Sequence, residues 1–150
     1  MTSRAAVEEF IGIKDLAIVG VSRKGGKFGN IIYKELKKKG YNTFGVNPKL
    51  DTIDGDKCYS SLKELEGKVH GVVNVVSPTQ TKSVVEEANA IGLKNIWMQQ
   101  GSESKEAIEY CKENGMNEIH KECILMFAEP VKSIHGFHRW IWKILGKLPN

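Results

Sequence analysis

Cysteine is scarce in this chain and unpaired in pattern. Cys58, Cys111 and Cys123 are odd in number, far apart, and never form a Cys-x-x-Cys. That argues against a disulfide framework and against a four-ligand zinc site, so a reduced, cytoplasmic setting is expected. Long apolar runs are missing too. The longest, such as Gly71–Val76, are a handful of residues, far short of the ~20 that a membrane-spanning helix needs. The first ten residues lack an apolar signal core and carry Glu8 and Glu9, so no secretory signal is expected. No stretch has the Pro, Ser or Gly density of a linker, and no internal repeat or low-complexity tract is present.

What remains is an ordinary globular composition. Of 150 residues, 41% are hydrophobic, and 22 Lys+Arg stand against 18 Asp+Glu. Mixed charge with this apolar fraction excludes disorder as the main state. A chain of this length buries roughly 68–70% of its unfolded surface. One domain over 1–150 is therefore expected, ending in an extra helix at about 131–148. The net charge of +4 is too small and too interspersed with acids for a nucleic-acid surface.

Short apolar runs alternate with amphipathic ones. Val7, Phe10 and Ile11 sit at helical spacing, closed by Gly12. Leu16–Val21 reads as a strand apolar on both faces. Phe28–Lys39 is helical, with Phe28, Ile32 and Leu36 four apart and Gly40 beyond the end. Tyr41–Val46 is a strand, followed by a turn with Pro48 and Gly55 and a weak element at Leu62–Leu65. Gly71–Val76 is the clearest buried strand, rich in β-branched residues. Ser77-Pro78 has the form of an N-cap followed by a first helical residue, with Val84, Val85, Ala88 and Ile91 as the stripe and Gly92 at the end. Asn95–Met98, Ser104–Asn114 and Met116–Ile119 give strand, helix and strand. Ile134–Leu148 closes the chain as a helix bearing Trp140 and Trp142.

This alternation predicts an α/β fold: a doubly wound parallel sheet of about five strands, ordered 3-2-1-4-5. Ligands of such sheets bind beyond the carboxyl ends of the strands, at the switch point. Here that point lies between the strands ending near Val21 and Val76. After the first of these, Gly20, Ser22 and Gly25 reproduce G-x-G-x-x-G with Ser in the middle, in the strand-to-helix context the motif requires. Backbone N–H groups and a helix N-terminus there would favour an anion, and Arg23, Lys24 and Lys27 add positive charge. A plain tight turn with solvated lysines is the other reading. After the strand Tyr41–Val46, second in the chain, stand Asn47, Pro48 and Lys49, where an NAD-binding fold usually has an acid for the ribose 2′-hydroxyl. A lysine suits a phosphorylated ribose, hence NADP or coenzyme A, although Lys49 alone also reads as a solvated turn residue. Ser77 and Pro78 aim another helix start at the crevice, or serve only as a cap. Gln99-Gln100-Gly101 could recognise an amide-rich ligand or form a simple turn.

Metal and nucleophile readings are weaker. His135 and His138 are spaced to chelate, but no third ligand is near in sequence. A Ser or Cys nucleophile needs a positioned base, and no motif shows one.

Taken in order, the strand-end segments resemble a known family. They are Val19-Gly20-Val21-Ser22, Val46-Asn47-Pro48-Lys49, Lys57-Cys58-Tyr59, Ser77-Pro78, Trp97-Met98-Gln99-Gln100-Gly101 and Cys123-Ile124-Leu125-Met126. The chain from about Lys14 to about Met126 resembles the small stand-alone CoA-binding proteins, whose Rossmann-like domain is similar to the N-terminal domain of the succinyl-CoA synthetase alpha subunit. The resemblance implies coenzyme A, or an acyl-CoA, at the switch crevice. Gly20, Ser22 and the following loop would hold phosphates. Asn47, Pro48 and Lys49 would take the phosphorylated ribose, and Ser77 and Pro78 the wall. Gln99 and Gly101 would lie further along the ligand, with Cys123 near the pantetheine arm and open to a mixed disulfide with CoA. The synthetase's second domain, with its phosphorylated histidine, has no counterpart here, so ligase activity is not expected to carry over. The sequence-level expectation is thus a CoA-binding module with no catalytic apparatus of its own. The rivals are an NADP-dependent oxidoreductase and a CoA-responsive regulatory protein acting through a partner or a homodimer.

Overall fold

The computed structural model describes residues 4–24 and 27–128. Helix α1 (Arg4–Ile11) precedes strand β1 (Asp15–Val19), then α2 (Phe28–Lys38) and β2 (Asn42–Val46). A hairpin of β3 (Thr52–Ile53) and β4 (Asp56–Tyr59) follows, then a 3-10 turn at Leu62–Leu65, β5 (Gly71–Asn74) and α3 (Pro78–Ala90). The described chain ends with β6 (Asn95–Gln99), α4 (Lys105–Glu113), β7 (Asn117–Glu122) and a 3-10 turn at Ile124–Met126.

The seven strands form one sheet ordered β3-β4-β2-β1-β5-β6-β7. All neighbours are parallel except β3 and β4. The expected doubly wound sheet is therefore present, with two corrections. The order 3-2-1-4-5 holds once β4 counts as the third strand, and β7 then becomes a sixth parallel one. The hairpin lies where the sequence suggested only a turn. Asp54 (φ 49°) and Gly55 (φ 83°) are both left-handed, the geometry of a two-residue hairpin turn, for which Asp-Gly is a favoured pair.

Strands buried on both faces explain the apolar runs without alternation. Leu16 and Ile18 face a core with Phe10, Ile32, Tyr33, Leu36, Trp97 and Phe127. Ala17 and Val19 face the other, with Val72, Val85, Ala88, Ile96, Met98 and Cys111. Helices α1 and α2 thus cover one face, and α3 and α4 the other. Trp97 is the largest fully buried side chain among the described residues. Its ring meets Phe10 edge-on at 5.4 Å and Phe127 at 5.9 Å, and its Nε1 donates to the Glu122 carbonyl at 3.0 Å. Burial pushes the Cys111 thiol up to about 12 and raises Cys58 as well.

β1 stops at Val19, two residues before the expected Val21, because Gly20 (φ 118°) leaves the β region. β5 likewise stops at Asn74, before Val76. Among the described residues no helix is long and apolar enough to cross a membrane. The helix expected at about 131–148, with His135 and His138, lies outside the described residues.

Candidate functional site

β1 has β2 on one side and β5 on the other, and the chain leaves their carboxyl ends in opposite directions. That parting opens a cavity of about 660 Å3, within the ~300–1,000 Å3 common for ligand sites. Its floor and sides are Gly20, Val21 and Val76, the Asn47-Pro48-Lys49 loop, Ser60 and Ser61, and Thr79, Gln80, Ser83 and Glu87 of α3. A smaller cavity of about 400 Å3 adjoins it, lined by Ser22, Arg23, Asn30, Lys49 and the β3 region. Lys49 is exposed and borders both.

The loop after β1 is held by two asparagines. Asn30, 2% exposed in the first turn of α2, accepts from the Ser22 N–H at 2.7 Å and donates to the Ser22 carbonyl at 2.8 Å. Asn47 donates to the Val21 carbonyl at 2.7 Å and accepts from the Lys49 N–H at 2.8 Å. Both bind backbone, so they set the shape of the loops that carry Ser22 and Lys49. Asn47 fills the place of the expected ribose acid by tying one crevice loop to the other.

Close packing here depends on glycine. A Cβ on Gly29 would lie 2.5 Å from the Gly20 carbonyl oxygen. One on Gly20 would lie 3.0 Å from the Val75 carbonyl carbon. The close helix–strand approach of this motif class is therefore made by Gly29. Gly25, the expected third glycine, lies outside the described residues.

The other expected residues divide. Gly20, Asn47, Pro48 and Lys49 line the larger cavity, and Ser22 and Arg23 the smaller. Lys24 and Lys27 are exposed and line neither. Ser77 occupies the N-cap position of α3 and Pro78 its first turn, but the Ser77 hydroxyl makes no capping bond; it lies 3.1 Å from Thr79 Oγ1. Both residues are exposed, and α3 instead meets the crevice through Thr79, Gln80 and Ser83. Gln99 is 1% exposed, and its Oε1 accepts from the Ile124 N–H at 3.0 Å. It holds the turn that begins at Cys123, a half-buried free thiol. Gly101 is exposed and left-handed at φ 94°. Gln99, Gly101 and Cys123 sit at or just beyond the carboxyl ends of β6 and β7, outside both cavities.

Sequence reasoning missed Gly29, Asn30 and Glu87. Asn30 had a signal: it is a polar residue beside the buried stripe of Gly29, Ile32, Tyr33 and Leu36. Glu87 had none, because its work is non-local. Its Oε1 accepts from the N–H groups of Leu62, at 2.5 Å, and Lys63, at 3.3 Å, and so closes one crevice wall. No group of three or more His, Cys, Asp or Glu that could hold a metal ion occurs among the described residues.

Comparison with known proteins places this geometry. The model of a CoA-binding domain family matches residues 14–129. The chain is 34% identical over 124 residues to YneT of Bacillus subtilis, covering 81% of this chain and 91% of that protein. It is 36% identical over 117 residues to an ADP-forming acetate–CoA ligase of Methanocaldococcus jannaschii, spanning 78% of this chain but 16% of the ligase. A solved conserved hypothetical protein from Pyrococcus furiosus superposes with TM-score 0.72 at 39% identity, over 75% of this chain and 97% of that one. The family match runs from the residue before β1 to beyond β7: the chain is a member of the CoA-binding domain family.

Proposed function

We propose that this protein binds coenzyme A or an acyl-CoA thioester in the crevice between β1 and β5, without catalysis of its own. The observation that carries the reading is the joining of the two loops. Gly20 and Gly29 bring the start of α2 against the β1 loop, and Asn47 ties that loop to the one bearing Lys49. The β1 loop with Ser22 then acts as the phosphate-binding loop, aided by the positive helix end. Asn47, Pro48 and Lys49 take the ribose that carries a phosphate, with Arg23 close by. Thr79, Gln80 and Ser83 form the opposite wall beyond Ser77 and Pro78. The pantetheine arm runs toward Gln99, Gly101 and Cys123. Binding alone is favoured because, among the described residues, the ionisable side chains lining the larger cavity are Lys49 and Glu87, and Glu87 is already engaged by two N–H groups. The free cysteines fit a reducing cytoplasm.

The lysine after β2 also suits NADP, which is the second reading. Native mass spectrometry of purified full-length protein tests both. A retained mass of CoA or an acyl-CoA is expected, and retained NADP would overturn the assignment.

A further inference from the structure

The opposite end of β2 carries a strand edge that is only partly paired among the described residues. β4 pairs with β2 only at Gly45↔Cys58 and Val46↔Tyr59, while β1 pairs with β2 along its whole length, from Asn42 to Val46. Among the described residues, the outer edge of Asn42–Phe44 therefore has no strand beside it. The Asn42 N–H donates toward β1, to the Lys14 carbonyl at 2.8 Å, and the Val46 carbonyl accepts from the Gly20 N–H at 3.3 Å. By the alternation of a strand, Asn42, Phe44 and Val46 bond to β1 and the Thr43 N–H and C=O face outward. Where the β2–β4 pairing ends, Asp56 contacts α2. It accepts from the Tyr33 hydroxyl at 2.8 Å and from the Lys37 ammonium, and both donors hold its carboxyl below the usual range. The result is a cavity of about 480 Å3 lined by Tyr33, Lys37, Thr43, Phe44, Lys57 and Tyr59, among others.

The two faces of this notch differ in charge. On the α2 face the Lys37 ammonium is neutralised by Asp56. On the other face Phe44 and Tyr59 meet edge-on at 6.0 Å. There the Lys57 and Lys68 ammoniums stand 4.9 and 5.7 Å from the Tyr59 ring centre. Both lysines are exposed, and neither is ion-paired with a carboxylate among the described residues.

We propose that the open edge of β2 at Asn42–Phe44 binds an extended acidic peptide segment of a partner protein as an added strand. Main-chain bonds to Thr43 supply the attachment, as in other strand-addition complexes. Alternate acidic side chains face the side bearing Lys57 and Lys68, and the ones between them face the side lined by Tyr33 and Lys37. This site is separate from the crevice, since it uses the amino end of β2 and the crevice uses the carboxyl end.

The test is titration of full-length protein with a terminally blocked hexapeptide, Glu-Val-Glu-Val-Glu-Val, followed by calorimetry and by sedimentation of the protein alone. Saturable binding is expected, at least tenfold weaker for Lys57→Glu and for a peptide with Gln in place of Glu. Thr43→Pro should abolish it by removing the outward N–H while leaving the bonds of Asn42 and Phe44 to β1. A peptide N-methylated at alternate residues, which needs no protein variant, should also fail to bind. Equal binding of the N-methylated or Gln peptide would overturn the proposal, as would no saturable binding at all. A concentration-dependent dimer lost in Lys57→Glu would assign the edge to a second copy and overturn it too.

Discussion

Gly29→Ala separates two physical effects of opposite sign. In an ordinary exposed helix, Gly→Ala stabilises by roughly 0.5–1 kcal/mol, because glycine loses more freedom on folding. Gly29 is buried against the β1 loop. Its new Cβ would lie 2.5 Å from the Gly20 oxygen, 2.9 Å from the Gly20 carbonyl carbon and 3.3 Å from the Val21 nitrogen. Optimal carbon–carbon separation is ~3.5–4.0 Å. The obstacle is backbone, and it cannot retreat easily, since Gly20 already sits against Val75. Overpacking of this kind costs about 1–3 kcal/mol. Because both contacts are rigid, the upper part of that range applies, and the net loss is roughly 1–2 kcal/mol after the helix gain. The start of α2 must also move away from the loop proposed to hold phosphate, so CoA affinity should fall at least tenfold. Urea unfolding and calorimetric titration read the two effects. Gly12→Ala is the control: its Cβ would meet nothing nearer than 3.5 Å, so a change within about 0.5 kcal/mol is expected. If Gly29→Ala proves as stable as the parent and binds CoA equally well, the close approach does not shape the site and the reasoning fails.

Asn30→Ala removes both bonds to the Ser22 backbone and should cost roughly 1–3 kcal/mol while weakening CoA binding; unchanged urea midpoints would contradict this. Lys49→Ala should weaken CoA more than dephospho-CoA, and equal losses in calorimetry would refute a contact with the ribose phosphate. Thiol labelling of native protein near pH 8 should modify Cys123 first, because Cys111 is fully buried with its thiol pushed up to about 12 and Cys58 is raised by burial too; peptide mapping that finds Cys111 labelled first would count against the buried core described. The Asp56 carboxyl is held low by Lys37 and Tyr33. A depressed carboxylate stabilises the fold above its unfolded value of ~3.9 and loses that contribution as pH falls through the folded value. Asp56→Asn should therefore lower Tm at pH 7, with the gap to the parent narrowing as the pH falls into strong acid; a gap that stays constant throughout the acid range would rule the ion pair out as its cause.

Much of this was legible from pattern alone. Runs such as Leu16–Val19 and Gly71–Asn74 read as strands covered on both faces, and their alternation with helices implied the switch point and the loops beside it. What escaped was non-local or chemically ambiguous. The Asp54-Gly55 signal was in plain view but flanked by strands of two and four residues, too short for a periodicity. Gly29 drew no reading of its own within the helical run, and only the position of the Gly20 carbonyl shows why it is needed. Ser77 carried a capping signature, yet its hydroxyl turns to Thr79 and its neighbours in α3 line the cavity instead. Gln99, read as a residue to contact ligand, spends its oxygen on the Ile124 N–H. Pairings of that kind join residues 25 apart in sequence, and no local rule foresees them.

Isothermal titration of the full chain with CoA, dephospho-CoA, NADP and NAD tests the central claim most directly. Saturable heat with CoA or its thioesters, weaker with dephospho-CoA and absent with NAD, is the predicted result. Saturation with NADP and no heat with CoA or any thioester would contradict it.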